Sequence, residues 1–164
     1  MTGNWPYLIR KRDKLECNDD NPFTRFAWCH GATGIGLSRL GCLAIEDNSV
    51  FRDDIQAALQ STLAYMEVRK GSLDIMCCGQ AGRIDFLLEA GRKMAQPDLI
   101  DTAQRYAQNM AKQKNFLENS PLSVDSSHGA AIYSPGFFQG DAGIGYEFLR
   151  LCKPDEIPCV LLFD

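Results

Sequence analysis

The chain has 164 residues, of which 45% are hydrophobic and 23% charged, a composition suited to one soluble globular domain with a real core. A formal charge of −4, a pI near 5.2 and the lack of a basic run argue against a nucleic-acid-binding surface. No apolar stretch approaches the roughly 20 residues of a membrane span, and Met1-Thr2-Gly3-Asn4-Trp5-Pro6 lacks the basic-then-apolar plan of a signal peptide.

In chain order, the first element is a short apolar helix led by Gly31-Ala-Thr-Gly-Ile-Gly-Leu37. The stretch Phe51–Lys70 follows, with Ile55, Leu59, Leu63 and Met66 on one helical face, and Gly71-Ser72 ends it. A second glycine-led helix opens at Gly79-Gln-Ala-Gly-Arg-Ile-Asp85. Residues Pro97–Leu117 then carry Leu99, Ala103, Tyr106, Met110 and Leu117 on one face, and Asn119-Ser120-Pro121 ends them. Gly140-Asp-Ala-Gly-Ile-Gly-Tyr146 leads the third glycine-led helix.

The three Gly-x-x-Gly starts lie 48 and 61 residues apart, and each has a leucine (Leu40, Leu88, Leu149) six residues past its second glycine. No stretch alternates like a strand. Short glycine-led helices alternating with longer polar-faced ones predict an all-α fold of helical hairpins in two layers. The glycines would let inner helix tips approach a common centre. Three such helices are few for a closed ring, so the expectation is a partial α/α toroid.

Seven cysteines, two of them adjacent, fit free thiols or metal in a reducing cytoplasm better than a disulfide framework. Cys29 precedes the first Gly-x-x-Gly turn and the pair Cys77-Cys78 immediately precedes the second. Two helix tips brought together would gather these three donors into a site with one position open, the pattern of catalytic rather than structural zinc. The alternatives are a buried small residue for Cys29 and a strained vicinal disulfide for the pair. Cys17, Cys42, Cys152 and Cys159 lack this context and are assigned to core or surface. No strand precedes the glycine turns and no Lys-Ser/Thr follows them, which sets aside phosphate binding.

Four segments carry a family resemblance: Arg25-Phe-Ala-Trp28-Cys29-His30-Gly31, Cys77-Cys78-Gly79, Tyr133-Ser-Pro-Gly-Phe-Phe-Gln-Gly-Asp-Ala-Gly-Ile-Gly-Tyr146 and Ile157-Pro-Cys-Val-Leu-Leu-Phe163. From about Asn4 to Asp164 the chain resembles the C-terminal part of the cyclase domain of class II lanthipeptide synthetases, in the lanthionine cyclase family. The resemblance implies a toroid of inner and outer helices. It implies a zinc ion on Cys29, Cys77 and Cys78 that binds a precursor-peptide cysteine. The thiolate then adds to dehydroalanine or dehydrobutyrine, closing a lanthionine or methyllanthionine ring.

Most of the family has Cys-His-Gly where this chain has Cys77-Cys78-Gly79, so the chain resembles a three-cysteine branch. Three thiolates on one zinc ion give a net charge of −1, which should make a bound substrate sulfur more nucleophilic and less tightly held. His30 is a candidate for positioning substrate or shuttling protons, and its plain alternative is a hydrogen-bonded member of the turn. Arg25 is a candidate for orienting the site, and its plain alternative is a structural ion pair. His128 matches no family motif.

Relative to full-length members, residues 1–164 correspond to a C-terminal portion. The dehydratase domain and the first half of the ring, with its acid and base residues, are expected to be absent. A separately encoded N-terminal half or dehydratase is therefore an expected partner, beside the precursor peptide. Two competing functions are a zinc-binding accessory without catalysis and a helical-ring carbohydrate-active enzyme. The latter would use paired carboxylates drawn from Asp74, Asp85, Glu89, Asp141 and Glu147.

Overall fold

A computed structural model of the chain describes residue 5 and residues 26–68, 73–113 and 134–163. Regular structure there consists of α1 (Ala32–Leu43), α2 (Ser49–Val68), α3 (Gln80–Lys93), α4 (Pro97–Gln113), α5 (Asp141–Cys152) and a 3-10 turn at Val160–Leu162. No strand occurs among the described residues, and a single isolated bridge joins Phe26 to Gly31. The all-helical expectation therefore holds. No described helix is long and apolar enough to cross a membrane.

The two longer helices form where their apolar stripes predict. In α2, Ile55, Leu59 and Met66 are buried, and Leu63 packs partly buried against the same core. The Asn48 side chain caps α2, its Oδ1 accepting the Phe51 N–H at 3.0 Å. In α4, Ala103, Ala107 and Met110 are buried and Tyr106 packs partly buried beside them. The Leu117 position lies outside the described residues.

Helix α2 packs on α1, and α4 packs on α3. Helices α1 and α5 both pack on α3. The three glycine-led helices thus form one layer, with α3 at its middle, and α2 and α4 lie in a second layer. Every residue of α3 from Ala81 to Gly91 is buried. The third leucine of the sequence repeat departs from the other two: Leu40 and Leu88 are buried, whereas Leu149 is 60% exposed. Among the described residues α5 meets α3 but has no outer helix against it, so its outward face stays open.

The glycine repeat is closer in space than in sequence. Gly34, Gly82 and Gly143 each occupy the third position of their helix. A Cβ at any of them would collide with the carbonyl oxygen six residues earlier, that of Trp28, Met76 or Phe137. Each approach loop therefore folds its backbone down onto the first turn of its helix, which only glycine permits. Gly31, at φ 111°, lies in a region that disfavours side chains and turns the chain into α1.

A buried charged cluster closes the other end of this layer. Arg150 of α5 is fully buried. It donates from Nε to Asp85 at 2.7 Å, from Nη2 to Glu89, and from Nη1 to the Ile157 carbonyl at 3.0 Å. The buried Cys159 thiol donates to the other Asp85 oxygen at 3.2 Å. Glu147 is also fully buried, and neither of its carboxyl oxygens has a hydrogen-bond partner among the described residues.

Burial, reinforced by the charge on Asp85 and opposed by Arg150, holds the Glu147 carboxyl well above the usual carboxylate range. The folded chain therefore keeps a proton there that the unfolded chain loses near pH 4.5. The stability that this proton secures is complete below that pH and declines as pH rises toward the folded-state value, by up to about 1.4 kcal/mol per pH unit. Glu147→Gln cannot ionise. Its stability relative to the native chain, measured by urea unfolding from pH 4 to 9, should improve as pH rises. A constant difference across that range would disprove the buried proton.

Candidate metal centre

The three cysteines named from the sequence meet at the tips of α1 and α3. Cys29 Sγ lies 3.2 Å from Cys78 Sγ, and Cys78 Sγ lies 3.4 Å from Cys77 Sγ. All three sulfurs fall within 4.8 Å of one another, and no other such cluster of three His, Cys, Asp or Glu donors occurs among the described residues. Cys29 is exposed, and Cys77 and Cys78 are half-buried. The six described cysteines are all free thiols.

Backbone contacts hold the two loops together. The Trp28 N–H donates to the Cys77 carbonyl at 3.0 Å, and the Cys77 N–H donates to the Phe138 carbonyl at 2.9 Å. In the first loop, Ala27 N–H donates to the His30 carbonyl at 3.1 Å, and Gly34 N–H to the Ala27 carbonyl at 3.3 Å. The second and third loops share one pattern: Gln80 N–H donates to the Leu73 carbonyl at 2.7 Å, and Asp141 N–H to the Ser134 carbonyl at 3.0 Å. Trp28 is anchored in turn, its indole N–H donating to the Leu161 carbonyl at 3.1 Å.

Arg83, a residue that the sequence reading passed over, joins the loops from beneath. It is 3% exposed. Its Nε donates to the Phe26 carbonyl at 2.7 Å and its Nη2 to the Cys78 carbonyl at 3.0 Å. The guanidinium also lies 4.7 Å from the centre of the Tyr65 ring, which itself stacks on Phe26 at 4.5 Å. One planar cation therefore fixes the backbone ahead of Cys29 and the backbone of Cys78 itself. The sequence places Arg83, like Asp85 and Glu89, among the apolar residues Ile84, Phe86, Leu87 and Leu88, with nothing to mark it as the one that clamps the loops.

The donor set suits a thiophilic cation. Sulfurs around one tetrahedral zinc ion stand about 3.8 Å apart, so the two shorter separations here, 3.2 and 3.4 Å, would open by about half an ångström around an ion. Burial, with hydrogen bonding from Cys29 and Cys78 second to it, pushes the Cys77 thiol well above its ordinary value. A negative charge on this cluster is thus disfavoured until a cation arrives. The N-termini of α1 and α3, which no side chain caps, add a smaller favourable field. Three cysteines this close can hold a metal ion with a fourth position left to another ligand.

His30 is exposed on the same loop as Cys29. Arg25, His128 and Cys17 lie outside the described residues. Cys42 is half-buried and Cys152 exposed, while Cys159 belongs to the interior cluster around Asp85. Of the five acids considered for paired-carboxylate chemistry, Asp85, Glu89 and Glu147 are buried, the first two paired with Arg150. Asp74 is half-buried in the second loop and Asp141 half-buried at the start of α5.

The chain matches the family model described as lanthionine synthetase C-like protein over residues 1–162, and it belongs to that family. A comparison with curated proteins found no match.

Arg83→Lys keeps the charge but cannot span two carbonyls and a ring face. Metal affinity, read by competition with a chromophoric chelator, should fall about 10–100-fold although no ligand has changed. Unaltered affinity in a folded variant would remove Arg83 from the support of the centre.

Proposed function

We propose that Cys29, Cys77 and Cys78 hold a zinc ion whose fourth position takes a cysteine thiol of a precursor peptide, and that the chain serves in lanthionine or methyllanthionine ring formation. The observation that carries this reading is the convergence of three sulfurs within 4.8 Å at two helix tips, in a chain of the lanthionine synthetase C-like family. When bound, zinc supplies a Lewis acid that keeps a coordinated thiol deprotonated at neutral pH, where a free thiol with a pKa of about 8.5 is mostly protonated.

The chain's own residues do the rest. The three cysteines set the charge and orientation of the site, and Arg83 and the loop hydrogen bonds keep them converged. The exposed Cys29 leaves the centre open toward solvent, the side from which a peptide would approach. The peptide sulfur forms a bond to the β-carbon of dehydroalanine or dehydrobutyrine, the carbon–carbon π bond breaks, and its electron pair passes to the enolate. The α-carbon then takes one proton, so the product has the mass of the reactant. His30, exposed beside Cys29, is the described side chain proposed to deliver that proton.

The purified, reduced chain should contain about one zinc ion per molecule, and Cys29→Ala or Cys77→Ala should lose it. With a dehydrated precursor, the native chain should consume the peptide thiol, seen as lost N-ethylmaleimide labelling at constant peptide mass, and Cys29→Ala should not. Metal and thiol binding without ring closure would instead leave the chain as a thiol-holding protein. Cys78→His makes the site one charge less negative. It should keep the ion, hold the substrate thiol more tightly and slow the addition in single-turnover assays. Equal rates on every precursor tested would sink that electronic argument.

A further inference from the structure

The three approach loops share one contact, a carbonyl packed over the helix glycine, and the third contributes something other than sulfur. In each, the residue whose carbonyl packs over the helix glycine is followed by a residue at the same loop position: Cys29 after Trp28, Cys77 after Met76, and Phe138 after Phe137. Two of these positions are thiols that can hold a metal ion. At the third stands a phenyl ring, on a backbone tied to the second loop by the hydrogen bond from Cys77 N–H to the Phe138 carbonyl.

That ring belongs to an aromatic group at the edge of the centre. Phe138 stacks face to face on Trp28, with ring centres 5.3 Å apart and planes 2° from parallel. Phe163 is tilted against Trp28 at 6.1 Å, and Phe137 meets Phe138 edge-on at 5.3 Å. Phe138 is 38% exposed and Phe163 is 81% exposed. Trp28 is held in place by its bond to the Leu161 carbonyl, so the stack has little freedom to collapse inward. Two aromatic rings left open to water beside a thiol cluster have apolar area to offer an incoming group.

We propose that Phe138, backed by Trp28 and Phe163, is the specificity wall of the centre's open position and receives an aromatic or large aliphatic side chain adjacent to the cysteine of the bound peptide. The inference rests on the reading that this centre binds a peptide thiol. Reach supports it. The Phe138 backbone is bonded to that of Cys77, and its ring stacks on Trp28, the residue before Cys29, so the stack and the sulfurs stand on adjoining backbone, within reach of a residue neighbouring a bound cysteine. Charge supports it as well. Three thiolates around a divalent cation leave a negative site, which repels an acidic neighbour, and the wall itself presents no charged group.

The test uses the chain loaded with cobalt(II), whose thiolate charge-transfer absorption reports a fourth sulfur directly. It is titrated with short acetylated peptides carrying Phe-Cys, Leu-Cys, Gly-Cys or Asp-Cys. The Phe-Cys and Leu-Cys peptides should bind about tenfold more tightly than Gly-Cys, as expected for partial burial of one large apolar side chain, with Asp-Cys weakest. Phe138→Ala should bring the Phe-Cys and Leu-Cys affinities down to that of Gly-Cys, and Phe138→Leu should restore the difference in part. Equal affinities in the native chain, or the same ranking in Phe138→Ala, would overturn the proposal. A cobalt spectrum that no thiol peptide alters would overturn the thiol-binding reading itself, and this inference with it.

Discussion

The Arg83 guanidinium is the interaction on which the rest of the centre depends. Cys29 and Cys78 lie 49 residues apart in the chain, yet their sulfurs are 3.2 Å apart. The loop backbones are linked by one hydrogen bond, Trp28 to Cys77, and by the two that Arg83 donates to Phe26 and Cys78. Hydrogen bonds from a charged donor are worth about 1.5–3 kcal/mol each, and a planar fork can make both without reorienting. Burial of that cation is tolerable because two carbonyls and the Tyr65 ring replace its water. The arrangement also explains why Phe26 is stacked on Tyr65: the ring that supports the cation is itself held by the residue whose carbonyl the cation binds.

Helix α3 is buried from Ala81 to Gly91, and that stretch carries three charged side chains set to two tasks. Arg83, one turn in, faces the metal loops. Asp85 and Glu89, deeper along the helix, face Arg150 of α5 and the segment that follows it. That segment is bound twice more, by the Cys159 thiol on Asp85 and by the Tyr146 hydroxyl donating to the Pro158 carbonyl at 2.8 Å. It then runs back to the centre, where Leu161 accepts the Trp28 indole N–H. The interior ion pairs and the metal loops are therefore the two ends of one structural tie. Breaking a buried pair of this kind by removing one partner costs about 3–5 kcal/mol, and here the loss would also release the support of Trp28.

The helical hairpins were legible because their signals are local. Ile55, Leu59 and Met66 repeat at helical spacing, and the glycine turns precede each inner helix as read. The three sulfurs were legible too, because two motifs of one plan each placed cysteine next to the turn. Arg83 was not, since nothing local separates an arginine that clamps two carbonyls from one that faces solvent. The same holds for Leu149: its place in the repeat matches Leu40 and Leu88, and only the absence of an outer helix on α5 among the described residues explains its exposure. The role of Phe138 follows from aligning the loops in space. In sequence the third loop lacks cysteine and so drops out of any motif built on thiols.

One fold device, a carbonyl packed over a glycine in the first helical turn, is used three times and fixes where the next side chain stands. The second and third loops also share their hydrogen-bond pattern, whereas the first turns into its helix through Gly31 at φ 111°. Two thiols at equivalent positions, with Cys78 as a third beside them, supply the negative charge that a divalent cation offsets. A ring at the remaining equivalent position contributes no ligand and closes one side with apolar surface. A fourth sulfur at that site would complete the coordination shell and leave no position for a substrate, as in closed structural sites. In the proposed reading, the lack of a thiol in the described part of the third loop leaves three sulfurs at the centre, and so a position for an outside one.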